Sequence, residues 1–371
     1  MHKSQNITIE LRNNILTGTY ADGKLPGERI LANTFKVGRC TVRSALQTLE
    51  DEGLVERRIK SGTFIKIQQK TGPKGIIGLF ARTEGHFFKE LYESMISTFA
   101  RNGYLVQSFS TNHFDSGKKH ESLRNKMKKE VKKLLEKSPA AIIMDGYCNG
   151  QIPLKKEIMK LNPIVYNYFD SREKYTPKGV WFDFKAVGYM AGKYLVEHGC
   201  TKPLLISHYV PLAIRLDNDF YPHHREKQLI DGFKKAISEA GLSTECCVLD
   251  CFAASLKDYQ STLDIFCRSN YLKPDGICGS SDRLTVDIMN KYNEYYETVP
   301  KDIFFMGICN TPWSRENPHH PFTTIDLNPD GVVEAILKQV RQSPEKRKNI
   351  FIKPILREYN QQHNNERRKI F

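Results

Sequence analysis

Residues 25–65 read LPGERILANTFKVGRCTVRSALQTLEDEGLVERRIKSGTFI, and this stretch decides the fold of the first part of the chain. A turn at Pro26 and Gly27 precedes a short helix with an apolar face, which Gly38 ends. A second helix follows and ends at Gly53. Two short helices around a glycine-containing turn are typical of a helix-turn-helix. The residues after Gly53 predict two short strands about a turn, which would form a wing beside the helices.

The second of these helices separates its apolar residues from its polar residues. The apolar positions share one face: Val42, Ala45, Leu46 and Leu49. Arg39, Arg43 and Gln47 recur at helical spacing on the opposite face. Because arginine binds guanine through two hydrogen bonds and a helix N-terminus carries a positive dipole, this face predicts contact with the major groove of DNA. The alternative is an amphipathic helix whose charges face only water.

The same stretch resembles the winged helix-turn-helix of GntR-type transcription regulators, from about residue 6 to residue 67. The resemblance is carried by residues 25–29, 38–46, 49–58 and 62–65, although Gly27 stands where that family usually has serine. It implies DNA contacts at the matching positions Arg29, Arg39, Thr41, Arg43 and Gly62. The polar face of the second helix adds Gln47. We also add Arg57, which with Arg29 would hold phosphates, whereas the helix arginines contact bases.

The composition indicates a folded protein with a basic surface. A chain of 371 residues predicts two to three domains, and its 40% share of hydrophobic residues is typical of packed globular domains. The 56 Lys and Arg exceed the 42 Asp and Glu to give a net charge of +14, which suits a polyanionic partner but also an ordinary basic surface. No stretch approaches the roughly 18 apolar residues of a membrane span, so we expect a cytoplasmic protein.

Signatures of metal sites and of catalysis are missing from the sequence. The nine cysteines form no Cys-x-x-Cys pair, which indicates reduced thiols. The group Cys246, Cys247 and Cys251 and the adjacent pairs His223–His224 and His319–His320 lack the spacing of metal ligands, so we expect no metal. The Gly-x-x-x-x-Gly-Lys-Ser/Thr, Gly-x-Ser-x-Gly and His-Glu-x-x-His signatures are also missing, so we expect neither an enzyme nor a cofactor.

A polar stretch with glycine and proline, residues 68–75, predicts a linker after a DNA-binding domain of residues 1–67. Beyond it, strands and helices alternate from the apolar strand 76–80 onward, which is typical of parallel βα units. The fold class is therefore α/β, with two parallel-sheet lobes in residues 76–360 and a polar basic tail in residues 361–371. The predicted lobe bounds are about 76–178 and 309–340 for lobe one, and about 179–308 and 341–360 for lobe two.

This second part resembles the effector domain of lactose-repressor-type regulators, which is similar to periplasmic sugar-binding proteins. The matching pieces follow in order from residue 75 to about residue 359, among them 191–199, 274–277, 299–303 and 321–325. A GntR-type DNA-binding domain followed by such an effector domain resembles the arrangement of arabinose-repressor-type regulators. It implies a winged helix-turn-helix followed by a periplasmic-binding-protein-like domain whose ligand lies in a cleft between the lobes.

The candidate effector-binding residues combine strand-end positions with positions implied by the resemblance. They are Phe87, Phe88, Asp145, Tyr168, Arg225, Lys227, Asp282 and Asn310. Carboxylates, amides and basic groups hold neighbouring hydroxyls, and an aromatic ring covers the apolar face of a sugar, so the expected ligand is a sugar or a sugar-like molecule.

Several of these assignments leave an alternative open. Phe87 and Phe88 would equally pack at the start of a helix, and Asp282 would equally cap one. Where the family usually has a ligand-binding arginine, this sequence has Lys227, and Arg225 lies two residues earlier, so either Arg225 or Lys227 replaces it. Trp313 leans into the cleft or plugs a hinge, and we favour the plug.

Taken together, these patterns predict a homodimeric transcription repressor that binds a DNA operator and a small carbohydrate effector. Two alternatives remain open at this point. Some GntR-type proteins carry an aminotransferase-like domain that uses pyridoxal phosphate. A DNA-binding protein without an effector would bind duplexes regardless of their sequence.

Overall fold

The computed structural model describes most of the chain. The described residues are 3–16, 19–20, 22–58, 61–66, 74–111, 121–146, 152–167, 179–209, 223–252, 256–269, 272–317 and 321–359. The basic tail, most of the predicted linker and Tyr168 lie outside these ranges. Within them, no helix is both long enough and apolar enough to cross a membrane.

The first domain is the predicted winged helix-turn-helix. Its elements are α1 (Lys3–Leu16), α2 (Glu28–Thr34), α3 (Arg39–Asp51), β1 (Val55–Arg58) and β2 (Gly62–Ile65). The two strands pair antiparallel to form the wing. Leu11, Leu46 and Leu49 are completely buried between the helices, which explains why the apolar face of α3 turns away from solvent.

Residues 76–182 alternate strand and helix. The elements are β3 (Ile76–Ala81), α4 (His86–Arg101), β4 (Leu105–Ser110), α5 (Glu121–Glu136), β5 (Ala141–Asp145), α6 (Lys155–Lys160), β6 (Ile164–Asn167) and β7 (Gly179–Phe182). Strands β3 and β5 are almost entirely apolar and buried, as expected for parallel strands that are covered on both faces. In α5, Val131 and Leu134 are buried, so its lysine-rich part is the solvated side of a packed helix.

A second series of the same kind follows. Its elements are α7 (Phe184–Glu197), β8 (Pro203–Tyr209), α8 (His223–Glu239), β9 (Val248–Phe252), α9 (Leu256–Ser269), β10 (Gly276–Gly279), α10 (Asp282–Tyr296), β11 (Phe304–Ile308), α11 (Pro312–Arg315) and β12 (Thr323–Asp326). Three further elements complete the described chain: α12 (Pro329–Val340), β13 (Ile350–Ile352) and β14 (Ile355–Arg357).

The strands form two six-stranded sheets, one in each lobe. The order is β13-β7-β6-β5-β3-β4 in lobe one and β14-β12-β11-β10-β8-β9 in lobe two. All neighbours pair in parallel except β12 and β14, which are antiparallel. The predicted α/β architecture with two parallel-sheet lobes is therefore confirmed.

The predicted lobe bounds need correction, because hydrogen bonding between strands assigns several segments to the other lobe. β7 pairs with β6, so residues 179–182 belong to lobe one rather than lobe two. β12 pairs with β11, so the chain stays in lobe two beyond residue 309 until β12 ends. The short strand β13 returns to lobe one beside β7, whereas β14 lies in lobe two. The chain thus crosses between the lobes after β7, after β12 and after β13.

Helices α7 and α8 pack unusually closely because glycines line their contact. A Cβ atom on Gly188 would lie 1.9 Å from the carbonyl oxygen of Leu229, and one on Gly232 would lie 2.0 Å from that of Lys185. No side chain fits at such distances from a neighbouring backbone. The close contact fixes the start of α8 beside the start of α7 and so positions Arg225 near Phe184.

Candidate DNA-binding face and ligand cleft

The face of α3 opposite the core carries the polar residues that the sequence pattern predicted. Arg39 is the first residue of α3 and is exposed, as are Arg43 and Gln47. Thr41 is half-buried beside them. Arg29, on the first turn of α2, is also exposed. Neither Arg29 nor Arg39 has a hydrogen bond or an ion pair among the described residues, so both guanidinium groups are available to a partner.

Glu28 ties α2 to α3 and to the wing. Arg43 Nε donates to one of its carboxylate oxygens over 2.8 Å, and Arg57 Nη2 donates to the other over 3.1 Å. Arg57 Nη1 also donates to Gln47 Oε1 at 3.3 Å. The hydrogen bond with Glu28 raises the pKa of Arg43 above its ordinary value. This network orients three of the candidate DNA contacts before any DNA arrives.

The wing presents cations that the sequence analysis missed. Gly62 begins β2 with a φ of 107°, a left-handed conformation that glycine adopts without strain. A Cβ atom at Gly62 would lie 2.8 Å from Lys24 Cε, but that atom ends a flexible side chain that can move, so the backbone conformation is what requires glycine here. Lys24 and Arg58 both lie over the ring of Phe64, at 5.1 and 4.6 Å from its centroid. Lys24 lies far from Phe64 in the sequence, so this contact appears only once the chain is folded.

The carboxyl edge of the lobe-one sheet carries a paired arginine and aspartate. Asp145 ends β5 and is completely buried, and Arg82, which follows β3 directly, donates from Nε to Asp145 Oδ2 over 2.7 Å. The Arg82 guanidinium also lies 3.5 Å from the ring centroid of Phe88. Phe87 turns inward instead and packs edge-on against Phe182. Arg82 escaped the sequence analysis, although a residue directly after the first strand of a parallel sheet is well placed for a ligand.

The matching edge of lobe two carries Arg225. Its Nη1 donates to Glu226 Oε1 over 2.8 Å, its Nη2 donates to the carbonyl of Ser280 over 3.0 Å, and both side chains are largely buried. Ser280 directly follows β10, so Arg225 lies at the carboxyl end of that strand. Lys227 is exposed, because two residues along a helix turn a side chain to the far side.

Two buried oxygens near this edge retain hydrogen-bonding capacity. Ser207 Oγ, on β8, and Glu226 Oε2 have no hydrogen-bond partner within the described part of the chain. Buried polar atoms are normally satisfied, so such atoms at the carboxyl end of a strand are candidates for ligand contacts.

Asp282 is buried behind the strand ends and is fully engaged with the protein. One of its oxygens accepts from the backbone N–H and the hydroxyl of Thr311 and from Ser314, and the other accepts from Thr324. Burial raises the pKa of Asp282 to about 6, against the lowering effect of these donors. The cap of α10 is Ser281, which accepts from Leu284 N, so the alternative that Asp282 caps the helix is wrong.

Asn310 lies in a strained turn directly after β11. Cys309 and Asn310 both have positive φ, 105° and 52°. The side-chain amide of Asn310 donates to Asp326 over 3.1 Å and accepts from the hydroxyl of Tyr359 over 2.6 Å. Backbone strain of this kind persists where the surroundings hold it, and it concentrates at binding sites.

Trp313 lies at a contact between the two lobes. Its ring packs edge-on against His86 with centroids 5.8 Å apart, and the Arg283 guanidinium lies 4.5 Å from the ring centroid. Since α4 begins after β3 and α11 begins after β11, the carboxyl ends of the two sheets face each other across this contact. Arg82 and Arg225 each lie at the carboxyl end of a strand in their own lobe, which is where parallel sheets bind ligands.

The described residues contain no group of three His, Cys, Asp or Glu side chains placed to hold a metal ion. Cys246 is exposed and Cys247 is buried. The side chains of Cys251, of His223 and of His224 lie outside the described part of the structure, as do His319 and His320 altogether.

Comparison with known families decides what this architecture is. Residues 3–65 match the family model of bacterial regulatory proteins of the gntR family, and residues 193–358 match that of the periplasmic binding protein-like domain. The chain joins a GntR-type DNA-binding domain to a periplasmic-binding-protein-like domain. It is a DNA-binding transcription regulator and not an enzyme, so the aminotransferase-like alternative is wrong.

Relatives support this combination along nearly the whole chain. An arabinose metabolism transcriptional repressor from Halalkalibacterium halodurans is 22% identical over 367 residues, which cover 94% of this chain and 93% of that protein. A periplasmic binding protein/LacI transcriptional regulator from Alkaliphilus metalliredigens, solved with D-xylulofuranose, covers 77% of this chain and 99% of its own at a TM-score of 0.53 and 17% identity. A LacI family regulator from Enterococcus faecium with bound ribose covers 76% and 97% at a TM-score of 0.55 and 14% identity. These structures share the fold of the two lobes.

Proposed function

We propose that this regulator is a homodimeric repressor that binds a specific operator and whose DNA affinity changes when a sugar or sugar-like molecule binds between its lobes. The observation that carries the proposal is the combination of an exposed arginine face on α3 with an arginine–carboxylate pair at the strand ends of each lobe. A repressor of arabinose metabolism is similar over 94% of the chain, and neighbours of the same fold hold D-xylulofuranose and ribose. DNA as the partner implies the cytoplasm as the location.

On the DNA side, the exposed arginines divide into two roles. Arg39 and Arg43 lie near the N-terminus of α3. The N-terminal part of a recognition helix is the part that enters a major groove. Arg29 on α2 and Arg57 on the wing flank this face and contact phosphates. Two copies of α3 must lie about 34 Å apart, or a multiple of that distance, to enter successive major grooves on one side of the duplex. A homodimer meets this requirement with a palindromic operator.

On the ligand side, a carboxylate already balances the positive charge of each of the two arginines. Arg82 is paired with Asp145 and Arg225 with Glu226, so the lining offers donors and acceptors without an excess of positive charge. Such an array suits the hydroxyls of a neutral sugar, and Phe88 beside Arg82 adds an apolar surface.

Of the remaining candidates, Phe87, Asp282 and Asn310 lie behind this lining, and Tyr168 lies outside the described residues. Asp282 and Asn310 shape the turn after β11 through their hydrogen bonds, and Phe87 packs beneath Phe88. Arg225 rather than Lys227 replaces the family's arginine, because Lys227 points to solvent. Tyr168 remains a sequence-based prediction.

Two measurements on the full chain test the proposal. Selection from a random duplex library is expected to enrich one palindromic sequence, and binding that is indifferent to sequence would instead support a DNA-binding protein without an effector. A thermal-shift screen of neutral pentoses and hexoses, sugar phosphates and nucleosides is expected to give stabilisation by a neutral sugar. Free ligand at 100 times its Kd adds about 2.7 kcal/mol, which such a screen detects. Stabilisation by none of these compounds would contradict the proposed effector.

A further inference from the structure

Helix α4 contacts lobe two through its first turns. Arg315, on α11, donates from Nη2 to Glu90 Oε1 over 2.9 Å. One turn earlier, His86 meets the ring of Trp313 edge-on. We call these two contacts, Glu90 with Arg315 and His86 with Trp313, the latch.

The lobe-two half of the latch cannot move independently of its lobe. Asp282 holds both ends of the segment before Arg315 through Thr311 and Ser314. Arg315 Nη1 also donates to the carbonyl of Asn310 over 2.6 Å. Because α11 is fixed to lobe two in this way, the latch closes only when the two lobes approach each other, and it breaks when they separate.

The same helix α4 holds the DNA-binding domain. Glu93 lies three residues after Glu90, and its Oε1 accepts a hydrogen bond from Gln5 Nε2 of α1 over 3.0 Å. Helix α1 also packs against α4 and β4. Helix α3 packs against α1, and its arginine face stays exposed in this arrangement. One helix therefore carries, a single turn apart, the contact that joins the lobes and the contact that docks the DNA-binding domain.

We propose that the latch and the docking of α1 on α4 are coupled, so that opening of the lobes at the latch loosens the DNA-binding domain from lobe one. The latch contacts are part-exposed, with Arg315 and Glu90 side chains 32% and 41% exposed, which suits a contact that must break and re-form. The coupling is a property of the chain alone. It needs neither DNA nor a sugar, so it stands or falls separately from the proposed function.

Amide hydrogen exchange on the full chain tests the coupling. Glu90→Gln removes the ion pair and preserves the size of the side chain. Lys89→Gln is the matched control, since the Lys89 side chain is exposed on the same helix and has no hydrogen bond or ion pair among the described residues. Glu90→Gln is expected to speed exchange about two- to fivefold in residues 309–317, the range that loss of an exposed ion pair allows. The same variant is expected to speed exchange in residues 3–16, whereas Lys89→Gln changes neither segment.

Two outcomes overturn the proposal. If Glu90→Gln leaves residues 309–317 as protected as the control does, there is no latch. If it speeds exchange in residues 309–317 but leaves residues 3–16 unchanged, the latch exists but is not coupled to the docking. Trp313→Leu, which removes the ring contact and keeps an apolar side chain, provides the second variant and must give the same pattern. Glu93→Ala, which removes the acceptor for Gln5 Nε2, must speed exchange in both segments, because coupling is reciprocal.

Discussion

Replacing Arg43 by alanine separates sequence recognition from general affinity for DNA. In the free protein the Arg43 side chain is 59% exposed and pairs with Glu28 over 2.8 Å. An exposed ion pair of this kind is worth about 0.2–1 kcal/mol, so Arg43 leaves it for a base at small cost. A bidentate contact between arginine and guanine discriminates against other bases by about 1–3 kcal/mol. The net loss expected on the operator is therefore about 1–2 kcal/mol, or roughly 5- to 30-fold in Kd.

Fluorescence anisotropy with the selected operator and with a scrambled duplex of equal length measures this difference. Arg43→Ala is expected to weaken operator binding by that factor and scrambled binding by about threefold or less. Arg57→Ala is expected to weaken both duplexes equally and to reduce the salt slope by about 0.9. Lys227→Ala controls for net charge, since Lys227 is exposed on lobe two. Equal losses on both duplexes for Arg43→Ala would refute its assignment to a base.

Three further predictions concern the lobes. Gly232→Ala forces a Cβ against the backbone of α7 and is expected to lower the free energy of unfolding by about 2–3 kcal/mol in urea. Lys234→Ala, an exposed position on the same helix, is expected to change it by less than about 0.5 kcal/mol. Folding raises the pKa of Asp282 from 3.8 to about 6, so protonation of Asp282 at low pH favours the folded state. The free energy of unfolding of the wild type relative to Asp282→Asn is therefore expected to fall by up to about 3 kcal/mol as pH rises from 4 to 7. A difference between the two proteins that does not change with pH contradicts this. Arg225→Lys keeps the charge but loses the planar fork, and calorimetry is expected to show at least about tenfold weaker sugar binding, with Lys227→Arg unchanged.

The DNA-binding domain could be predicted almost residue by residue because its signals are local. Glu28 begins α2 and Gly53 follows the end of α3, as the turn and glycine positions predicted. The antiparallel hairpin of the wing, β1 and β2, also lies where the sequence predicted it. Helix α1 begins at Lys3, four residues before its buried apolar residue Ile7. Polar residues at a helix start carry no periodic signal.

Lobe membership could not be predicted because distant strand pairing decides it. β12 and β13 are four and three residues long, and nothing in so short a segment shows which sheet it joins. The ligand cleft was predicted in outline, because strand ends of a parallel sheet are recognisable. The ion-pair partners of the predicted residues could not be predicted from the sequence. Arg82 pairs with Asp145, and Glu226 pairs with Arg225, and such pairing appears only once the chain is folded.

The central claim, that the cleft and the DNA-binding face communicate, is tested most directly by measuring operator affinity with and without the bound sugar. The full chain is titrated into the labelled operator at fixed salt, first alone and then with the stabilising sugar at saturation. A coupling free energy of about 1–3 kcal/mol predicts a change in Kd of roughly 5- to 150-fold. An operator Kd that stays the same while the sugar demonstrably occupies the protein would contradict the account.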